Sequence, residues 1–313
     1  MRAEPDATAS RRNDDAKPRS VFVVVNAHSG AGNAGVVRKR LLQWTAAGFD
    51  VTLHDCGPNE DIAEAARRAV ADGANVIVAA GGDGTVAAAA AAVRGTDAVL
   101  GIVPLGTGNI VARDLSVPLD PEAAVDLLFE EHSNKCIDAL DVNGDTYLMS
   151  LGIGISAYVA RDTAAVHKRI FGPAAYLWSG LGEIGSVEPS RFSITVDGVP
   201  HTFSATEVAI ANSGVFANMM LPWEKSVRLD DGRMDVFVVA TETARDYPLL
   251  VFNVLRGSNT AEPGVIHLVA RDTVRVECED ELPVQADGDV IGETPLDARL
   301  LSGAVSVVIP APD

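Results

Sequence analysis

Cysteine, positive charge and long apolar runs are all scarce in this chain, and each scarcity removes a class of function. Its three cysteines, Cys56, Cys136 and Cys278, are odd in number and lack metal-type spacing, so they read as free thiols of a reducing compartment. None is expected to be a nucleophile. Lysine and arginine number 25 against 43 acidic residues, a formal net charge of −18 at pH 7. That balance argues against nucleic acid as a partner and against a broad electrostatic hold on anionic lipid. No apolar run approaches the roughly 18 residues needed to span a bilayer. The first twenty residues mix Arg2, Arg11, Arg12, Lys17 and Arg19 with Glu4, Asp6, Asp14 and Asp15. They lack the apolar stretch of a signal peptide, and a disordered arm is expected over 1–19. The histidines are scattered: His54, His132, His201 and His267 show no cluster, so no zinc site is expected.

What is present is an apolar content of 47% over 313 residues, enough for a large core and a length suited to two domains. The most informative stretch is Val76 to Val86, VIVAAGGDGTV. A buried-strand run breaks into Gly81, Gly82, Asp83, Gly84 and Thr85, and a helix should follow from about Thr85 to Val93 through six consecutive alanines. The glycines are expected to turn with positive φ and to let the backbone approach a ligand, with the amides of the helix N-terminus facing negative charge. A plain strand-to-helix turn is the alternative on these residues alone.

Two further strands end the same way. Val21 to Val25 runs into Asn26, Ala27, His28, Ser29 and Gly30, and Val99 to Val103 runs into Pro104, Leu105, Gly106, Thr107, Gly108 and Asn109. Glycine-rich loops after buried parallel strands gather at the carboxyl edge of a sheet, where open α/β folds bind ligands. Between them, Val37, Leu41 and Trp44 have helical spacing, Phe49 to His54 alternates like a strand, and the helical pattern from Ile62 stops at Gly73. Beyond Cys136 the rhythm changes to strands and tight turns. Asn143-Gly144, Asp197-Gly198 and Asp231-Gly232 each have hairpin character, Val236 to Val239 and Val305 to Ile309 are short β-branched runs, and two helical patterns fall near Ile155 to His167 and Ala174 to Ile184. The expected architecture is an α/β N-terminal domain with a parallel sheet and a mostly β C-terminal sandwich domain.

NAHSGAG, GGDGT and PLGTGN, in this order and spacing, resemble the catalytic domain of the diacylglycerol kinase family, which includes sphingosine kinases and bacterial lipid kinases. The resemblance continues through Gly152 to Gly154, Ala211 to Ser213, Asp230 to Asp235 and Gln285 to Asp289, covering roughly Val21 to Pro310. It implies an NAD kinase/diacylglycerol kinase-like fold, with a nucleotide-binding domain over 20–134 and a lipid-substrate domain over 135–313 whose last residues are free to return to the first. It also implies ATP and Mg²⁺ as cofactors and a phosphoryl transfer to a lipid hydroxyl.

The first loop, Asn26 to Gly35, has no lysine, so it is no Walker-type P-loop and backbone amides with Mg²⁺ must hold the phosphates. By resemblance Asn26, Ala27, His28, Ser29 and Gly30 contact the nucleotide, as do Gly81, Gly82, Asp83, Gly84 and Thr85. Gly106, Thr107 and Asn109 supply the third loop, and Cys56 stands where the family often has a nucleotide-contacting threonine. Asp83 organises the catalytic metal. Asp289 accepts the proton of the lipid hydroxyl, in a place where the family usually has glutamate, and Asp287 is the runner-up. Asp231, with backbone carbonyls of Arg228 and Arg233, holds a structural Mg²⁺. Without the resemblance, Asp287 to Asp289 reads as a solvated hairpin turn.

Three positions depart from the family pattern: Ile110 where many bacterial relatives have a carboxylate, the apolar Val86-Ala87-Ala88 after GGDGT, and Cys56 itself. The expected setting is cytoplasmic and peripherally membrane-associated, with a transient lipid partner at the inner membrane surface. Arg161, His167, Lys168 and Arg169 before Ile170 and Phe171 form a candidate contact patch, and Ile155, Tyr158, Phe216 and Met220 belong to a generic acyl pocket. A homodimer is admitted. Two other functions remain open: an NAD kinase-like soluble kinase, against which PLGTGN and Asp287-Gly288-Asp289 weigh, and a catalytically weak nucleotide- or lipid-binding module, hinted by Ile110.

Overall fold

The computed structural model describes residues 20–26, 33–57, 60–165, 188–216, 221–222, 227–240 and 264–312. The N-terminal arm, the loop 27–32, His167 to Phe171, the helical pattern from Ala174 to Ile184, and Met220 lie outside them. The chain divides into two compact units, residues 1–137 with 305–313, and residues 138–304.

The first unit alternates strand and helix: β1 (Ser20–Val25), α1 (Ala34–Ala46), β2 (Asp50–Asp55), α2 (Ile62–Ala71), β3 (Val76–Gly81), α3 (Asp83–Val93), β4 (Val99–Pro104), α4 (Ile110–Asp114) and α5 (Pro121–Leu127). The four strands pair in the order β2-β1-β3-β4, all parallel. The returning C-terminal residues extend the sheet beside β4, Val307 opposite Leu100, also parallel. Val23 to Val25 and Ile77 to Ala80 are fully buried, as expected of strands covered on both faces by helices. Capping groups mark the helix ends, Gly73 among them as the sequence indicates. Asp61 accepts the Glu64 N–H at the start of α2, Asp120 accepts the Ala123 N–H before Pro121 of α5, and Gly73 follows α2 at φ +102°. The alanines of α3 let it lie close to α2, β3 and β4, with Ala89, Ala90 and Ala92 buried.

The second unit holds the latter part of β5 (His132–Val142), then β6 (Asp145–Tyr147), β7 (Ser150–Gly154), α6 (Ile155–Ala165), β8 (Ser190–Val196), β9 (Val199–Ala205), β10 (Glu207–Ala211), β11 (Val215–Phe216), β12 (Leu221–Pro222), β13 (Met234–Val239), β14 (Val265–Ala270), β15 (Thr273–Cys278), β16 (Pro283–Ala286), β17 (Asp289–Glu293) and the first part of β18 (Leu296–Pro310). One antiparallel layer runs β14-β13-β10-β7-β16-β17 and the other runs β18-β15-β8-β9. Leu151, Ile153, Val208, Ile210 and Val236 from the first layer share one apolar cluster with Phe192, Ile194, Val274, Val276 and Leu296 from the second. This is the sandwich core, and each strand presents alternate residues to it.

Asn143-Gly144 joins β5 to β6 and Asp197-Gly198 joins β8 to β9, both residues of each pair at positive φ, as a tight two-residue hairpin requires. Asp231-Gly232 departs from the expectation. It precedes β13, whose partners are β10 and β14, so it closes no hairpin on that strand. Its backbone is fixed instead by Asp138, whose carboxylate accepts the Gly232 and Gly303 N–H groups at 2.7 Å each. The run Val305 to Ile309 is the end of a 15-residue strand rather than a short one.

Candidate active site

The carboxyl edge of the parallel sheet brings together the predicted nucleotide residues that fall in the described chain. The backbone continues each strand pairing one step past the strands: Cys56 N–H donates to Val25 O, Asn26 N–H to Ala80 O, and Leu105 N–H to Gly81 O, at 2.8 to 3.0 Å. Cys56, Asn26, Gly81 and Pro104 therefore stand in a row across the four strands, with Leu105 one step beyond. Side chains then stitch the loops. Asn26 Nδ2 donates to the buried Thr85 Oγ1 at 3.1 Å. Asp83 Oδ1 accepts the Ile110 N–H at 2.7 Å. Burial pushes the Asp83 carboxyl above its ordinary range, offset by the N–H groups of Ile110, Val111 and Asn109. Asn109, left-handed at φ +49°, closes the third loop by accepting the Gly106 N–H through Oδ1 and donating Nδ2 to Gly106 O.

The glycines of GGDGT do not take the positive φ expected of them. None of Gly81, Gly82 and Gly84 has positive φ. A Cβ on Gly81 would collide with Thr85, whose own Cβ would be 2.5 Å away, and a Cβ on Gly106 would lie 2.6 Å from the Gly82 Cα. Close packing of loop on loop requires those two. Among the described residues nothing lies within 4 Å of a Cβ added to Gly84, so their packing makes no demand for glycine there.

In the second unit the two acids of the Asp287-Gly288-Asp289 turn have different surroundings. Asp287, at φ +49°, accepts the Met149 and Ser150 N–H groups on Oδ1 and the Leu148 N–H on Oδ2, at 2.9 to 3.0 Å. It is a backbone clamp that pins the turn to the start of β7. Asp289 is exposed at the head of β17. Behind the turn, Gln285 Oε1 accepts the Gly288 N–H at 3.0 Å, while the buried Gln285 Nε2 has no hydrogen-bond partner among the described residues. Glu207, fully buried on β10, accepts the Ser156 N–H and hydroxyl, and burial raises its carboxyl to about 8. Gly152 makes room for this group, since a Cβ there would meet the Ser156 Oγ and lie 2.6 Å from Gln285 Nε2.

The expected structural Mg²⁺ set has a mixed character. Both Asp231 oxygens are buried, and the carboxyl is raised by burial first, lowered by the Arg233 charge, and raised again by Asp235 and Asp138. A buried carboxylate beside Asp235 and Asp138 fits a hard cation, although Arg233 already occupies one side of it. The Arg228 side chain pairs with Asp230 at 2.9 Å, and Arg233 Nε lies 3.1 Å from Asp231 and 3.3 Å from Asp235.

Comparison with known proteins decides the family. The diacylglycerol kinase catalytic domain model matches residues 20–141, and the YegS C-terminal NAD kinase beta sandwich-like domain matches 149–309. A protein of Pseudomonas aeruginosa named "probable lipid kinase YegS-like" is 32% identical over 289 residues, 90% of this chain and 91% of its own. The chain belongs to the diacylglycerol kinase family of lipid kinases. A diacylglycerol kinase of Staphylococcus aureus is 27% identical over 86% of this chain and 85% of its own. A crystal structure described as a diacylglycerol kinase from Bacillus anthracis superposes with a TM-score of 0.72 at 25% identity, over 95% of this chain and 99% of that one. A second structure from the same organism reaches 0.78 at 26%, with the same coverage of both chains. Membership in this kinase family makes the chain a phosphotransferase.

Within that family frame, Ala27, His28, Ser29 and Gly30 fall outside the described residues. Ile110, where bacterial lipid kinases often have an acid, is buried, and its N–H serves Asp83. Arg161 lies over the Tyr158 ring, 4.9 Å from its centroid. Sequence reasoning missed Glu207 and Asp138. An isolated acid in an apolar strand, as in TEVAIA, is the signal that could have found the first. One expectation is overturned: His54 does have a cluster, since His54, Cys56 and Glu60 bring their ligand atoms within 4.8 Å of one another. His132, His201 and His267 lie apart, next to Glu130 O, Phe203 and Asp235 respectively.

Proposed function

We propose that this protein transfers the γ-phosphoryl group of ATP to a hydroxyl of diacylglycerol or a related lipid, with Mg²⁺. The observation that carries the reading is the stitched, lysine-free loop edge: Asn26 tied to Thr85, Asp83 tied to the Ile110 amide, and Gly81 and Gly106 too crowded for any side chain. A fixed array of backbone amides at the end of a parallel sheet suits a polyphosphate, and phosphoryl transfer asks a protein chiefly for positioning and charge neutralisation. Mg²⁺, when bound, neutralises charge on the phosphates; Asp83 is assigned to its water shell, and Asp231 with carbonyls of Arg228 and Arg233 to a structural ion.

Asp289 is assigned the base. It takes the proton of the lipid hydroxyl as that oxygen forms its bond to the γ-phosphorus and the bond to ADP breaks. Asp287 is a poor candidate because both its oxygens already accept backbone N–H groups. Contact with the membrane is proposed as peripheral. No helix of the described residues is long and apolar enough to cross a bilayer, and a net charge of −18 disfavours a broad hold on anionic headgroups. The buried Ile110 favours one second reading, a nucleotide-binding module without turnover. Purified protein given Mg-ATP and a panel of diacylglycerols, sphingoid bases and ceramides should yield a phosphorylated lipid. ATP binding with no product on any of them supports the second reading, and neither binding nor product ends both.

A further inference from the structure

The end of β2 carries a group of side chains in which Cys56, matched above to a nucleotide-contacting position, meets two residues with no assigned part in phosphoryl transfer. His54 Nε2 lies 2.6 Å from Glu60 Oε1, and the buried thiol of Cys56 completes a set whose donor atoms are all within 4.8 Å of one another. We propose that His54 Nε2, Cys56 Sγ and a Glu60 carboxylate oxygen form a Zn²⁺ site at the carboxyl end of β2.

Donor chemistry chooses the ion. A thiolate, an imidazole and a carboxylate are a soft-to-borderline set that suits Zn²⁺ and discriminates against Mg²⁺, and three protein ligands leave a fourth tetrahedral position for water. Zinc bonds of about 2.0–2.2 Å to nitrogen and oxygen separate those donors by roughly 3.4 Å in a tetrahedron. The His54–Glu60 pair therefore opens by less than about 1 Å to admit the ion, and both side chains are about one-third exposed and free to do so. The surroundings already orient the ligands as outer-shell groups do around metals. The Gly57 N–H donates to Glu60 Oε2 at 3.0 Å, and the His54 ring stacks on Phe22 at 5.5 Å. Cys56 is held in register by its N–H bond to Val25 O.

The site needs neither nucleotide nor lipid, so its test is independent of the kinase reading. Chelator-treated full-length protein is titrated with ZnCl₂ by calorimetry and, separately, with CoCl₂ in the spectrophotometer. Expected are equimolar, saturable zinc binding and a thiolate-to-cobalt charge-transfer band, with no heat from MgCl₂ competing for the same site. Cys56→Ser should abolish the band, and His54→Gln and Glu60→Gln should each weaken zinc binding at least tenfold. Cys136→Ser and Cys278→Ser should leave both signals intact, and their melting curves with that of Cys56→Ser separate lost ligation from lost folding. Absence of the cobalt band in folded wild-type protein, or its persistence in Cys56→Ser, overturns the proposal.

Discussion

At the scale of the residue, two aspartates separated by one glycine have opposite duties. Asp287 accepts three backbone N–H groups at 2.9 to 3.0 Å, so Asp287→Asn turns one acceptor into a donor facing them. The expected result is a loss of roughly 1–3 kcal/mol in stability, seen as a lower midpoint in urea. Asp289 is exposed, so Asp289→Asn should leave that midpoint unchanged while turnover falls at least a hundredfold. A Glu207 experiment reads the sandwich core directly. Its carboxyl rises from 4.5 to about 8 through burial. Between those values the folded chain keeps a proton that the unfolded chain has lost, so stability falls as pH rises from 4.5 to about 8 and levels off above. Glu207→Gln should remove that slope, on the order of a few kcal/mol, in denaturation midpoints taken across the range. The sequence announced Asp289 only through family likeness. The clamping role of Asp287 was not legible, because its partners at 148–150 are remote in sequence and meet it only through the β7–β16 pairing.

At the scale of the element, strand-and-turn signals translate well and loop conformation does not. Continuous valine and isoleucine runs gave β1, β3 and β4, because burial on both faces of a parallel sheet leaves no polar alternation to confuse the period. The Asn-Gly and Asp-Gly turns at 143 and 197 became hairpins because both residues take positive φ there. Asp231-Gly232 carries the same local signal, yet the Asp138 carboxylate overrides it from 94 positions away. In GGDGT the expected positive φ does not occur, and Gly81 is required by crowding against Thr85, which is invisible in sequence. That distinction is measurable. Gly81→Ala should destabilise the first unit by about 1–3 kcal/mol through overpacking. Gly84→Ala meets none of the described residues within 4 Å and should keep stability within about 0.5 kcal/mol while weakening Mg-ATP binding, because the bare backbone there is assigned to the ligand. Equal loss of stability in both variants would assign both glycines to packing alone.

At the scale of the whole molecule, an α/β unit and a β-sandwich unit were both legible from the change of rhythm near Cys136, and the division falls at 137/138 with the last nine residues returning to the first unit. That return was foreseeable only by likeness, because nothing local in the Val305–Ile309 run names β4 as its neighbour. The central claim is that peptide N–H groups at one sheet edge, organised by Asp83, serve phosphoryl transfer to a lipid. Its most direct measurement is labelled phospholipid formed from γ-labelled ATP by the wild-type chain and by Asp83→Asn, both checked for native melting. The account predicts product from the wild type and a rate lower by about 10²–10³-fold or more in the variant, the range expected when a preorganised electrostatic group is removed. A folded Asp83→Asn protein that keeps most of the wild-type rate would contradict it.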